Sequence, residues 1–230
     1  VVGRALLLKG NRRVRFERIA RILEQKSHTT TLEIDLDAMI HNLNTYRDII
    51  PAGTKVMAMV KASGYGNGSA EVASMLQHQG VDYLAVAFAD EGAALRERGI
   101  MMPIVVLNAD DGSFETMIDY GLEPEIYGFA SLEAFCSELR RRGERDYPVH
   151  IKIDSGMHRL GFMEGDIDAL IGILQNDSQL IKVGSIFSHL AASDEPRQDG
   201  FTRSQIALFD RASRKIIDSL PYVPLRHIAN

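Results

Sequence analysis

Val56-Met57-Ala58-Met59-Val60-Lys61-Ala62-Ser63-Gly64-Tyr65-Gly66-Asn67-Gly68 joins an apolar run to a glycine-rich loop through a single lysine. The run is short enough for one buried strand, and three glycines follow within five residues, which predicts a strand, a loop and a helix starting near Ser69. In a parallel α/β fold the C-terminal strand ends form the active face, so Lys61 is expected to meet whatever the loop binds. Gly64, Gly66 and Gly68 let backbone N–H groups approach an anion, and the dipole of the following helix adds to that attraction. The competing reading is a solvated lysine ahead of a flexible turn. The loop contains no Walker sequence.

Downstream of this unit, strand and helix patterns alternate regularly. Strands are expected at 56–61, 83–88, 103–108, 123–128, 149–154, 183–189 and 225–230, with helices near 69–79, 90–98, 113–120, 131–142, 166–175 and 201–219 between them. Each crossover is long enough for a right-handed βαβ unit. Seven such repeats predict an α/β fold of the (β/α)8 TIM type, truncated after the seventh strand. An open doubly wound sheet is the alternative, but it would carry G-x-G-x-x-G after its first strand, and that pattern is absent.

The barrel assigns faces by parity. Val149, Ile151 and Ile153 are expected outward beneath helices, and His150, Lys152 and Asp154 inward. A charged Lys152 in a barrel interior must meet a carboxylate, be modified, or lie in a wet, ligand-filled mouth, because burying an unpaired charge is costly. An inward Asp or Glu would be that partner, with Asp154 its rival or a second group serving the mouth. In the first strand Met57, Met59 and Lys61 share one face, and Val56, Ala58 and Val60 the other.

Upstream, residues 31–36 alternate like a half-buried strand, and Asp37 is placed to cap a helix from Ala38 to Ile50. Residues 1–27 differ in character: a strand is expected at 5–10 and a basic helix at 12–23, followed by a polar joint at 26–31 that marks a domain boundary. The basic run lacks an aromatic stacking platform, and the net charge of -5 argues against a nucleic-acid or anionic-membrane surface. One cysteine, Cys136, excludes an internal disulfide and sits where a packed helical residue is expected. No apolar run approaches the roughly 20 residues of a membrane helix. The start Val1-Val2-Gly3-Arg4 has neither an initiator methionine nor a signal-peptide pattern, so a cytoplasmic location is expected and the chain reads as a fragment. No metal site is expected.

Three stretches carry a family resemblance: Val60 to Gly68, Lys152-Ile153-Asp154-Ser155-Gly156-Met157-His158-Arg159-Leu160-Gly161-Phe162, and Ser188-His189-Leu190-Ala191-Ala192-Ser193-Asp194-Glu195. In order and spacing they resemble the motifs of the alanine racemase family, whose barrel binds pyridoxal phosphate, and Arg226-His227-Ile228-Ala229-Asn230 resembles the start of a fourth motif. The resemblance covers about residues 30–230, giving an incomplete cofactor-binding barrel at 28–230. It implies that Lys61 holds the cofactor as a Schiff base and serves as one of two opposed bases at the substrate Cα. Tyr65 would bind the cofactor phosphate, and Arg159 the phenolic oxygen and the substrate carboxylate, with Met157 close by. His189 would pack near the pyridine ring, and Asn230 would lie in a motif continuing into phosphate binding. Lys152 matches a lysine that is carbamylated in some family members. The loop Ala62-Ser63-Gly64-Tyr65-Gly66-Asn67-Gly68 departs from the commoner Ala-Asn-Ala-Tyr-Gly-His-Gly, which is expected to alter local hydrogen bonds only.

The resemblance further implies racemisation of L-alanine to D-alanine for cell-wall precursors by a homodimer. Its opposite-face base is a tyrosine in a second subunit's C-terminal β domain, which this chain lacks, so weak cofactor binding and inefficient racemisation are expected of the chain alone. A non-catalytic cofactor-carrying homeostasis protein and a decarboxylase of a basic amino acid are the alternatives on the same barrel. Arg4-Ala5-Leu6-Leu7-Leu8-Lys9-Gly10-Asn11-Arg12 and Phe16-Glu17-Arg18-Ile19 resemble the C-terminal end of the ligase that adds D-alanyl-D-alanine to the UDP-N-acetylmuramoyl tripeptide. That resemblance implies a ligase fused upstream, with residues 1–27 as its tail or a linker.

Overall fold

The computed structural model describes residues 33–61 and 69–229. The elements expected at 5–10 and 12–23, the loop 62–68 and Asn230 lie outside them. From Leu36 onward the chain makes one unit. It opens with α1 (Leu36–Ile49), where Leu36, Met39, Ile40 and Leu43 recur at helical spacing and pack on the core. The strand expected at 31–36 is not formed where it is described: Glu33, Ile34 and Asp35 are irregular and Leu36 already starts the helix. Asp37 consequently falls inside the first turn, where its charge complements the N-terminal dipole, instead of preceding the helix as its cap. Tyr46 is exposed, whereas Arg47 donates from one nitrogen to the carbonyls of Gln79 and Gly80 at 2.8 and 3.1 Å.

Seven parallel strands follow in sequential order: β1 (Met57–Met59), β2 (Tyr83–Val86), β3 (Ile104–Val106), β4 (Glu123–Ile126), β5 (Tyr147–Lys152), β6 (Ile181–His189) and β7 (Leu225–Ala229). Between them run α2 (Ser69–His78), α3 (Ala89–Glu97), α4 (Phe114–Asp119), α5 (Phe129–Arg142), α6 (Ile167–Asn176) and α7 (Asp199–Asp218). This is the expected (β/α) barrel architecture up to its seventh strand. The sheet curls, because Met57 of β1, Tyr83 of β2, His150 of β5, Ser185 of β6 and His227 of β7 line one interior cavity of about 380 Å³.

The outward faces of the strands and the apolar stripes of the helices form the main core. Leu84, Val86, Ile104, Val106, Ile126, Val149, Ile151 and Ile153 are all buried in it. From the helix side come Leu132, Phe135, Cys136 and Leu139 of α5, and Phe209, Ala212 and Ile216 of α7. Spacings of three and four along each helix keep these residues on one side, and each large side chain so buried contributes roughly 1.5–3 kcal/mol. The parity expected for β1 and β5 is the one observed, with Val60 and Val149 in the core and His150 and Lys152 buried on the other face.

One irregularity resets that parity on β6. Val149 pairs with Val183 but His150 pairs with Ser185, so Gly184 is an extra residue, a β-bulge. A Cβ on Gly184 would lie 3.3 Å from His150 Cε1, which makes glycine the residue that lets the bulge sit against the imidazole. Beyond it Ser185 and Phe187 line up with His150 and Lys152, and Ile186 with Ile151.

Candidate active site

The interior side chains are polar in the middle of the barrel. His150 Nδ1 lies 2.7 Å from Ser185 Oγ and Nε2 2.7 Å from Glu123 Oε2, while the Tyr83 ring meets the imidazole edge-on at 6.0 Å. A carboxylate at Glu123 accepts from Nε2–H, which leaves Nδ1 of a neutral ring to accept the Ser185 hydroxyl. One step nearer the C-terminal ends, Lys152 Nζ donates to Glu125 Oε1 at 2.8 Å and stands 5.4 Å from the Phe187 ring centroid. Phe187 in turn stacks on His227 with centroids 4.8 Å apart. Glu125 is fully buried and Lys152 is 7% exposed. Of the three ways to accommodate Lys152, the structure shows a carboxylate partner, and that partner is Glu125. Asp154 does not serve Lys152: it accepts from the backbone N–H of Gly156 at 2.9 Å and of His158 at 3.0 Å. Burial pulls against these bonds, but together with the His158 imidazole they hold the Asp154 carboxyl below its ordinary pKa.

The segment after β5 is a closed loop whose glycines are required by its geometry. Phe162 N–H donates to Lys152 O and Asp154 N–H to Phe162 O, both at 2.9 Å, so the chain returns to the strand end it left. At that return Gly161 has φ +129°, and a Cβ there would lie 2.4 Å from Asp154 N and 2.7 Å from Ile153 C. Ser188 of β6 donates to Ile153 O at 2.7 Å and its hydroxyl lies 2.7 Å from Ser155 Oγ, which ties the loop to the neighbouring strand. Arg159 is carried exposed on this loop, and Met157 half-buried. The next loop is held by Gln205 of α7, fully buried, which accepts from Ala191 N–H at 3.1 Å and donates to His189 O at 3.4 Å.

Lys61 was expected at the tip of a strand. Instead β1 ends at Met59, Val60 N–H still bonds Ala85 O at 2.8 Å, and Lys61 itself has helical backbone and is half-buried. His189 closes β6 and is half-buried. Burial first, and then the charges of Arg159, Lys152 and Lys61, hold its imidazole below the ordinary histidine pKa. Three cations from three separate segments therefore act on one imidazole at the C-terminal mouth. Tyr65 and Asn230 lie outside the described residues. Among the described residues no group of three or more His, Cys, Asp or Glu side chains is arranged to hold a metal, and no helix is long and apolar enough to cross a membrane.

Sequence reasoning missed Glu123, Glu125, Ser185 and Gln205. Glu123 and Glu125 alternate on one face of a strand, as His150 and Lys152 do on the next, and that matched pair of alternations was the available signal. The bulge hid Ser185. The mouth as a whole suits a small anionic ligand, with an amine to react, two further cations, and a neutral imidazole.

The pattern of one protein family, described as alanine racemase, N-terminal domain, matches residues 34–230. An alanine racemase of Thermodesulfovibrio yellowstonii is 37% identical over 201 residues, covering 86% of this chain and 53% of the relative. Among solved structures, alanine racemase of Clostridium difficile 630 superposes with a TM-score of 0.79 at 31% identity, covering 87% of this chain and 56% of that one. Alanine racemase from Bartonella henselae, solved with covalently bound pyridoxal phosphate, gives 0.72 at 25% identity, with 86% and 55% covered. The chain thus spans about half the length of the relatives it matches.

Proposed function

Since this chain belongs to the alanine racemase N-terminal domain family, we infer that it forms the cofactor-holding barrel of an enzyme that interconverts L- and D-alanine. The observation that carries this reading is that Lys61 follows β1, Lys152 and His189 end β5 and β6 of one parallel sheet, and the loop of Arg159 returns to Lys152 O, so all four sit at the C-terminal strand ends. These residues fit pyridoxal phosphate: an amine for its aldehyde, cations for its phenolic oxygen and phosphate, and an imidazole that adds no charge beside its ring. Tyr65 and Asn230, with the glycines of 62–68, would complete the phosphate cradle.

When bound, the cofactor supplies an electron sink for the pair left at Cα as its proton departs. Everything else is the protein's work. Lys61 Nζ would hold the cofactor by its aldehyde and, as a free amine, would take or return the Cα proton on its own face. Arg159 receives the substrate carboxylate, with Met157 beside it restricting the side chain that can enter. Gln205 and the bond from Ser188 to Ile153 O hold the two loops that carry His189 and Arg159. The base on the opposite face we assign to a tyrosine of a second subunit's C-terminal domain, so the active form is a homodimer. Residues 1–27 we read as the tail of the D-alanyl-D-alanine-adding ligase, which places the D-alanine product in cytoplasmic cell-wall precursor synthesis.

The test loads the intact protein with pyridoxal phosphate, reduces it with borohydride and maps the retained cofactor mass by peptide mass spectrometry. The mass is expected on Lys61, and Lys61→Ala is expected to lose both the mass and racemase activity, by about 10³-fold or more. Assays of L-alanine, L-lysine and L-ornithine for racemisation and for carbon dioxide release accompany it. Cofactor mass on another lysine, or carbon dioxide release in place of racemisation, overturns the reading.

A further inference from the structure

Glu125 stands out among the interior groups. It is 0% exposed, its Oε1 accepts from Lys152 Nζ at 2.8 Å, and its Oε2 is buried without a hydrogen-bond partner. A buried carboxylate oxygen without a donor is costly, and a carboxylate accepts from more than one group. Burial raises the Glu125 pKa, the Lys152 charge and hydrogen bond oppose that, and the Arg159 charge, the weakest of the influences, acts in the same sense as Lys152, which puts a second donor within electrostatic reach. Arg159 rides on the loop that returns to Lys152 O, so its guanidinium is tethered to the same strand end that carries the ion pair.

We propose that Glu125 is the positioning carboxylate of the mouth, holding Lys152 as an ammonium ion with one oxygen and keeping the other for the guanidinium of Arg159. Arg159 swings inward onto this oxygen when ligand fills the mouth, and the fork of its guanidinium then presents its remaining N–H groups to the ligand. A consequence follows for Lys152. Carbon dioxide would have to add to a neutral amine with loss of a proton, and the carbamate so formed would set a second anion against a buried carboxylate. Glu125 occupies the anionic role, and Lys152 stays unmodified. The role of Arg159 toward ligand rests on the racemase reading; the state of Lys152 does not.

The experiment has three arms on the intact protein. With [13C]bicarbonate, no lysine carbamate resonance is expected in the 13C spectrum; a resonance lost in Lys152→Met overturns the proposal. Glu125→Gln keeps the shape and removes the charge, and is expected to lower the thermal midpoint by roughly 6–20 °C. Adding Lys152→Met is expected to recover most of that loss, which a pure packing role for Glu125 would not produce, and an additive double variant overturns the ion-pair assignment. If Glu125→Gln does not fold, recovery of folding in the double variant reads the same coupling. In the recovered double variant KM for alanine is expected to remain raised about tenfold or more with kcat less affected, because Arg159 has lost its anchor. An unchanged KM overturns the Arg159 assignment. A wild-type protein that neither captures pyridoxal phosphate nor racemises alanine defeats the racemase reading alone, since the carbamate and stability arms still decide Glu125.

Discussion

Gly161 has no room for a side chain. A Cβ would meet Asp154 N at 2.4 Å and Ile153 C at 2.7 Å, both backbone atoms of the strand end that carries the Lys152 carbonyl, and its φ of +129° is open to glycine alone. Gly161→Ala is therefore expected to cost roughly 2–4 kcal/mol in urea unfolding. Gly121→Ala is the control: φ is +58° but nothing lies within 4 Å of the added carbon, so about 1–2 kcal/mol is expected. Equal costs at the two positions would mean that the loop yields. Cys136 makes a second case at this scale. Burial, and then the Asp177 carboxylate beside it, push its thiol up to about 12. An unfolded thiol titrates near 8.5, so the folded state favours the protonated form, and that stability is complete below about pH 8.5 and lost as pH rises toward 12. The native thiol is expected to resist a disulfide reagent at pH 8–9 and to react once urea unfolds the chain, and Cys136→Ala should flatten the decline of stability above that range. Rapid native labelling would contradict the burial argument.

At the scale of elements, the bulge on β6 decides which side chains reach the mouth. Were β6 regular with Gly184 still in it, Gly184 would pair with His150 and every residue from Ser185 to His189 would exchange faces. Deleting Gly184 makes Ser185 follow Val183 as His150 follows Val149, so amide protection at 185–189, and at the 225–229 segment paired with it, is expected to persist. Gly184→Ala keeps the register and meets only the His150 ring edge at 3.3 Å, so about 1 kcal/mol is expected. A deletion that abolishes protection there would show that the bulge itself is needed to hold β6 and β7. The same strand shows why sequence reading stopped where it did. Alternation on β5 is local, so the outward Val149 and Ile151 and the inward His150 and Lys152 were legible from four residues. The partners of those inward residues were not, because Glu123 and Glu125 meet them only through a β4–β5 register that no local pattern encodes. Asp154, two positions from Lys152 in the chain, turns its short side chain back onto its own loop. Lys61, Arg159 and His189 came from motifs, and their common neighbourhood from the fold.

For the whole molecule, the sheet order among the described residues makes β1 and β7 the terminal strands, each hydrogen-bonded to one neighbour, while β2 to β6 are flanked on both sides. The order of repeats was plain in the sequence because each one is a self-contained strand and helix, but the strength of each strand depends on what lies on either side of it. β5 combines two full neighbours with outward Val149 and Ile151 at 0% exposure; β1 has three residues, of which Met59 is 40% exposed. Opening a terminal strand breaks one ladder and little core, whereas exposing β5 requires the ladders and helices on both sides to part. Hydrogen exchange of the 230-residue chain is expected to rank the strands accordingly, with β5 amides exchanging only through global unfolding and those of β1 and β7 through local opening. In denaturant, the β5 rates should follow the global unfolding free energy and the β1 rates should show little dependence. Matching dependence in β1 and β5 would mean that the terminal strands are held by contacts other than the ladder.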